Sequence, residues 1–241
     1  MIALNYGVIL ASGSGTRMKN IDIPKQYYEI DNKPIILYTL DSMLSSNLFD
    51  KIYIAIQKEY EELLNNYLNK YISSDNMNII KMVYGGKERI DTIHNVIDSI
   101  SLNNISDDDI VVIHDAVRPF VTKKILEDSI NGARKYGAVV AGIPAEDTML
   151  ISGDGVNVDE IPNRKLLYKG QAPDSFRLNT LIELESKLTD DIKKRITGTS
   201  QICIFNGYPI RMIMGDAINF KITTDGDLDM ARGIVLSRKK K

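Results

Sequence analysis

The chain holds one cysteine, two histidines and no tryptophan in 241 residues. The lone Cys203 cannot close an internal disulfide, and His94 and His114 by themselves make neither a zinc site nor a Ser/His/Asp triad credible. Neither sign of charge is in surplus: 30 Lys and Arg against 32 Asp and Glu leave a formal net charge of −2. That balance argues against a general nucleic-acid binder, which needs a basic excess to displace counterions from phosphates. Long apolar runs are also missing. Lys, Asp, Asn or Gly interrupts each within about eight positions, well short of the ~18 that cross a membrane. The opening Met1–Tyr6 has no basic region followed by an apolar stretch, so a cytoplasmic chain is expected. Asn104-Ile105-Ser106 fits a glycosylation acceptor but has no use without secretion, and Arg238–Lys241 reads as solvated charge at a fraying end.

What is present is an ordinary globular mixture, 44% hydrophobic and 26% charged, rich enough to build a core. Apolar runs alternate with helical patterns. Strands are expected at Gly7–Ala11, Lys51–Gln57, Met77–Val83, Ile110–Ile113, Ala138–Ile143 and Ile210–Met214. Helices are expected over 34–44, 58–71, 88–100, 122–136, 178–187 and 198–206, with a last one after Thr224. That rhythm implies βαβ units and an α/β fold with a doubly wound, mostly parallel sheet. Between Glu146 and Tyr168 it changes. Thr148–Ser152, a Gly153-Asp154-Gly155 turn and Val156–Ile161 predict a projecting β-hairpin arm on a single domain spanning 1–241.

The first strand empties into Ala11-Ser12-Gly13-Ser14-Gly15-Thr16-Arg17-Met18, where two glycines let backbone amides converge on an anion. Met18 breaks the dinucleotide fingerprint, which disfavours a dehydrogenase, and no Gly-Lys-Ser/Thr completes a P-loop. A phosphate cradle with Arg17 inside it and Lys25 soon after is one reading; a plain strand-to-helix turn with surface cations is the other. His114-Asp115-Ala116-Val117-Arg118-Pro119 ends a strand where α/β folds place ligands, so Asp115 is a candidate for Mg2+ or a substrate hydroxyl. Its alternative is a turn in which Arg118 pairs with Asp115. Gly85-Gly86-Lys87-Glu88-Arg89, with Thr92 one turn into the helix, offers a main-chain edge for a flat nucleobase. Thr224-Asp225-Gly226-Asp227 reads as a helix start with acidic residues at its N-terminus rather than a calcium loop, because Met230 replaces the required glycine. Cys203, between Ile202 and Ile204, reads as core, and His94 as a helix-face residue.

Together these segments, with Pro24-Lys25-Gln26 and Asn219-Phe220-Lys221-Ile222-Thr223, resemble the Rossmann-like nucleotidyltransferases that join CTP to a polyol phosphate and release pyrophosphate. The likeness spans nearly the whole chain. Within that group, Ile161-Pro162-Asn163-Arg164 and Tyr168–Pro173 resemble the ribitol-5-phosphate branch of teichoic acid or capsule synthesis more than the methylerythritol-phosphate branch of isoprenoid synthesis. Departures are Ser12, Ala172, Asp174 where Gln is usual, and Gly198 where an Asp commonly follows the first Thr of Thr197-Gly198-Thr199-Ser200. The resemblance implies an enzyme that uses Mg2+, with Arg17, Lys25 and Lys221 catalytic. It implies CTP held by Ala11, Ser12, Gly13, Gly15, Thr16, Gly85, Gly86 and Thr92. It implies acceptor contacts from Asp115, Arg118, Thr148 and Arg164, the last two from the arm across a homodimer interface. A nucleotide binder without catalysis is the alternative of another class.

Overall fold

A computed structural model describes residues 2–13, 23–100 and 105–239. In chain order the strands are β1 (Asn5–Leu10), β2 (Glu29–Ile30), β3 (Lys33–Pro34), β4 (Lys51–Ile56), β5 (Ile80–Tyr84), β6 (Ile110–Asp115), β7 (Ala138–Pro144), β8 (Tyr168–Arg177) and β9 (Arg211–Met214). The helices are α1 (Ile35–Leu44), α2 (Glu61–Tyr71), α3 (Ser74–Met77), α4 (Arg89–Ser99), α5 (Lys123–Tyr136), α6 (Leu178–Ser186), α7 (Asp190–Lys193), α8 (Gln201–Phe205) and α9 (Asp225–Lys239). Seven strands form one sheet in the order β5-β4-β1-β6-β8-β7-β9, and only β8 runs against its neighbours. The mostly parallel, doubly wound architecture expected from the alternation is what the chain adopts.

Strand periodicity divides the core between the two faces of the sheet. Ile52, Ile54 and Ile56 of β4 pack with Ile36 and Leu40 of α1 and Leu64 and Leu68 of α2. Tyr53 and Ala55, pointing the other way, join Ile90, Ile93 and Ile97 of α4 with Leu181 of α6. Cys203 is fully buried in this second layer, where burial first and the nearby Asp174 second push its thiol up to about 12. A smaller cluster carries the end of the chain back to the sheet. Leu228, Ala231 and Val235 of α9 pack on Ile30, Ile35, Val117, Phe120 and Ile222. Since the Ile222 amide also donates to the Val117 carbonyl at 2.9 Å, the 219–223 segment is fixed beside the end of β6.

Local chemistry moved several expected boundaries. The Ser73 hydroxyl accepts from the Asn76 amide and starts the one-turn α3, so β5 begins at Ile80 rather than Met77. The Gln201 side chain caps the segment before α8 by accepting from the Thr197 and Gly198 amides, which delays that helix from 198 to 201. Asp31 and Asn32, at φ 53° and 62°, form a two-residue turn between β2 and β3 that periodicity did not flag. The largest omission is β8, whose Gln171, Asp174 and Ser175 are polar yet buried, so its sequence lacks a strand's apolar signature.

The expected hairpin at 146–168 is reduced to one antiparallel bridge, Ile151 to Glu160. Its turn is held by side chains rather than a ladder. The Asp154 carboxylate accepts from the Val156 and Asn157 amides, and these bonds, the Val156 one foremost, hold it well below the usual carboxylate range. No helix among the described residues is long and apolar enough to cross a membrane.

Candidate active site

The site forms where the strand order reverses, at the carboxyl ends of β1 and β6. Asp115, the last residue of β6, stands in register with Leu10 of β1. Ala11 to Gly13 leave β1 as an open main-chain edge, and the buried Gln26 donates from Nε2 to the carbonyls of Ala11 at 2.6 Å and Gly13 at 3.3 Å. Gln26 thus props the loop from behind. Across from it, Thr92 Oγ1 accepts from the Gly86 amide at 3.0 Å and lies 3.2 Å from the Ser12 hydroxyl, tying the loop after β5 to the loop after β1. A Cβ at Gly85 would collide with the Ser12 side chain, and one at Gly86 with Asp91, so both glycines are demanded by close approach.

These segments enclose a cleft of about 330 Å³ lined by Ala11, Ser12, Gly13, Lys25, Gln26, Gly86, Lys87, Glu88, Arg89, Thr92, Asp115 and Lys221, among others. Lys25 and Lys221, 196 positions apart in sequence, therefore face one space. Gly85 packs behind Ser12 instead of lining the cleft. Gly15, Thr16 and Arg17 lie outside the described residues. Arg118 lies next door, and Thr148 and Arg164 are on the exposed arm, where Arg164 donates to the Glu146 carbonyl at 2.6 Å. Within one chain neither arm residue lines the cleft.

Asp115 is the electrostatic centre. Its Oδ1 meets Arg89 at 3.4 Å, and its Oδ2 meets Arg118 and Lys221, both at 3.1 Å. Burial alone would raise this carboxyl, but Arg89, then Lys221, then Arg118 hold it well below the usual carboxylate range. Three cations on one anion leave a surplus of positive charge facing the cleft. Asp115 is the residue expected from the sequence to meet Mg2+ or a substrate hydroxyl, and it lines the cleft. Both oxygens pair with the protein's own cations, and no cluster of three or more His, Cys, Asp or Glu that could hold a metal occurs among the described residues. The pairing of Arg118 with Asp115 weighed from the sequence is present, as one of three such pairs. Beneath it His114 is fully buried, its Nε2 3.1 Å from the Arg118 carbonyl and its Nδ1 unpartnered, and burial lowers it to about 4. It is neutral at physiological pH.

A second cavity of about 250 Å³ shares Arg89, Asp115 and Lys221 with the cleft and continues along Arg118, Gln171, Asp174, Thr197 and Ser200. The three shared side chains form the partition between two adjoining spaces. Asn219 steadies this wall: its Nδ2 donates to the Ala172 carbonyl at 2.7 Å, and its own carbonyl accepts from Arg118 at 2.8 Å. Sequence reasoning gave no site role to Gln26, Arg89, Gln171, Asp174, Thr199 or Asn219. A polar residue inside a segment that must be buried is the signal that marks several of them, and it is visible only once β8 is known to be a strand.

Comparison with known proteins bears on this geometry. Residues 6–237 match the family model described as IspD: 2-C-methyl-D-erythritol 4-phosphate cytidylyltransferase. A 4-diphosphocytidyl-2C-methyl-D-erythritol synthase from Anaerococcus prevotii is 27% identical over 97% of this chain and 96% of its own, with a TM-score of 0.77. The 2-C-methyl-D-erythritol 4-phosphate cytidylyltransferase of Francisella tularensis is 27% identical over 95% and 98%, with a TM-score of 0.78. The corresponding Thermus thermophilus structure, at 21% identity and a TM-score of 0.73 over 97% and 98%, shares the fold. With two lysines and a glycine-edged cleft at the strand switch, and a family match over nearly its whole length, this chain belongs to the IspD family and is a CTP-dependent cytidylyltransferase.

Proposed function

We propose that the chain transfers the cytidylyl group of CTP to 2-C-methyl-D-erythritol 4-phosphate. The family model and the two relatives at 27% identity favour this acceptor over the ribitol 5-phosphate suggested by residues 161–173. The observation that carries the reading is the pair of adjoining cavities separated by Arg89, Asp115 and Lys221. The glycine-edged cleft takes the nucleotide, with the base against the main chain at Gly86 and Thr92. The second cavity takes the acceptor, so that its phosphate meets the α-phosphorus of CTP at the cationic partition.

An acceptor phosphate oxygen attacks the α-phosphorus, and the bond to the pyrophosphate oxygen breaks opposite it. Such transfer asks for position and charge stabilisation rather than a protein nucleophile. Lys25 and Lys221 lie where extra negative charge develops, and Asp115 keeps Lys221 and Arg89 from splaying apart. Arg17 is assigned to the same charge on the resemblance. The divalent cation that the family resemblance brings in neutralises the triphosphate when bound. Asp115 is the carboxylate that would hold it at the cleft wall, and no step here is routed through it.

Thr148 and Arg164 on the arm line neither cavity of their own chain, and Leu150, Val156, Val158, Ile161 and Leu166 there are exposed apolar side chains. A homodimer in which each arm covers the partner's site accounts for both facts. Pyrophosphate release with CTP, Mg2+ and a panel of polyol phosphates tests the reading. Turnover with methylerythritol phosphate is expected; its absence, or turnover with ribitol 5-phosphate alone, overturns it.

A further inference from the structure

Asp174 and Gly198 meet in the wall of the second cavity. Asp174 sits on β8 at a slip in register, where Val140 pairs with Asp174 but Ala141 pairs with Gln171. The intervening Ala172-Pro173 bulges out, and the bulge re-aims the side chains on either side. The Asp174 carboxylate, 5% exposed, is within hydrogen-bonding reach of the Thr199 hydroxyl and the Ser200 amide.

Thr199 is wholly buried and its Oγ1 accepts from Nε of Arg89 at 3.2 Å. A hydroxyl has a single proton to give. With Arg89 donating to it, Thr199 directs that proton at Asp174. The far end of the same guanidinium reaches Oδ1 of Asp115 at 3.4 Å. Asp174, Thr199, Arg89 and Asp115 thus follow one another along the partition between the cavities. At Gly198 a Cβ would meet nothing closer than Ser200 Oγ at 3.9 Å, so the position accepts a side chain.

We propose that Asp174 is a positioning residue of the transfer site: its buried carboxylate on β8, through Thr199, holds Arg89 at the boundary between nucleotide and acceptor. The proposal rests on the second cavity being the acceptor's. Charged and titratable groups facing Asp174 are Arg89 on α4, Asp115 on β6 and Cys203 on α8, with Arg118 and Lys221 across the cavity.

The test is an exchange of carboxylates. Asp174→Gln should lower kcat/KM for the acceptor on the order of tenfold while KM for CTP moves less than about twofold. Adding Gly198→Asp should restore it to within about threefold of the parent, a coupling that separate structural lesions do not produce. A readout without turnover is the Nε–H resonance of Arg89, assigned by its disappearance in Arg89→Lys. In the substrate-free parent it should titrate near the Asp174 value of about 6, and in Asp174→Asn it should not. A folded double variant no better than the single one, or an Arg89 resonance unmoved by Asp174→Asn, overturns the proposal. A parent that releases no pyrophosphate with any polyol phosphate overturns the functional reading instead, and the resonance still decides the role of Asp174.

Discussion

Replacing Asp174 by Asn should make the protein more stable at neutral pH while making it a worse enzyme. Burial dominates the Asp174 environment and, with Asp115 adding repulsion, lifts its carboxyl from 3.8 to about 6 against the opposing pull of Arg89, Thr199 and Ser200. A carboxyl that is harder to ionise folded than unfolded costs stability wherever the unfolded chain has it ionised. The sign follows: the penalty is full above about pH 6, fades as pH falls through that value, and is gone below 3.8. At ~1.4 kcal/mol per pH unit the gap amounts to ~3 kcal/mol at most. Asn removes that penalty but turns one acceptor into a donor facing Thr199 and Ser200, a loss of about 1 kcal/mol. A net gain of about 2 kcal/mol is expected at pH 8, or roughly 4–8 °C in Tm for a chain of this length. Calorimetric melts of both proteins from pH 4 to pH 8 check it. Equal melting at pH 8, or a difference that does not shrink as pH falls, refutes the reasoning that this carboxylate is held at a cost.

Lys25→Ala should leave the fold intact and lower kcat on the order of 100-fold, by analogy with removing one donor from an oxyanion site; steady-state pyrophosphate release checks it, and near-normal turnover removes Lys25 from the mechanism. Arg164→Ala should raise KM for the acceptor with KM for CTP unchanged if the arm covers the partner's site as proposed; unchanged acceptor KM shows that the arm does not clamp substrate. Asp115→Ala should destabilise the protein by about 3–5 kcal/mol in urea unfolding, because three cations lose their shared partner. The depressed carboxyl of Asp115 is ionised over the whole range above its ordinary value, so this loss should be the same at pH 5 and pH 8, and a loss that appears only at high pH refutes it.

The sequence alone determined the alternation of strands and helices that makes the fold α/β. The apolar runs Ile52–Ile56 and Ile110–Ile113 are properties of the residues themselves, because a strand buried on both faces must carry them. The glycines at 85 and 86 and the cation at 25 were legible for a like reason, since few other residue types tolerate such close approach or supply such charge, whereas Lys221 was singled out only by the family resemblance. Tertiary structure decided the rest. Only the folded chain makes β8 a strand, because its buried polar residues are satisfied by Asn219, Thr199 and Ser129, which lie 25 to 48 positions from their partners on β8. Only there does Asp115 acquire three cations from α4, the turn after β6 and the segment before α9, and so become the organiser of the site. Hydrophobic periodicity is local and can be read along the chain. Satisfaction of buried charge depends on partners that only the packing of the sheet brings within 3.5 Å.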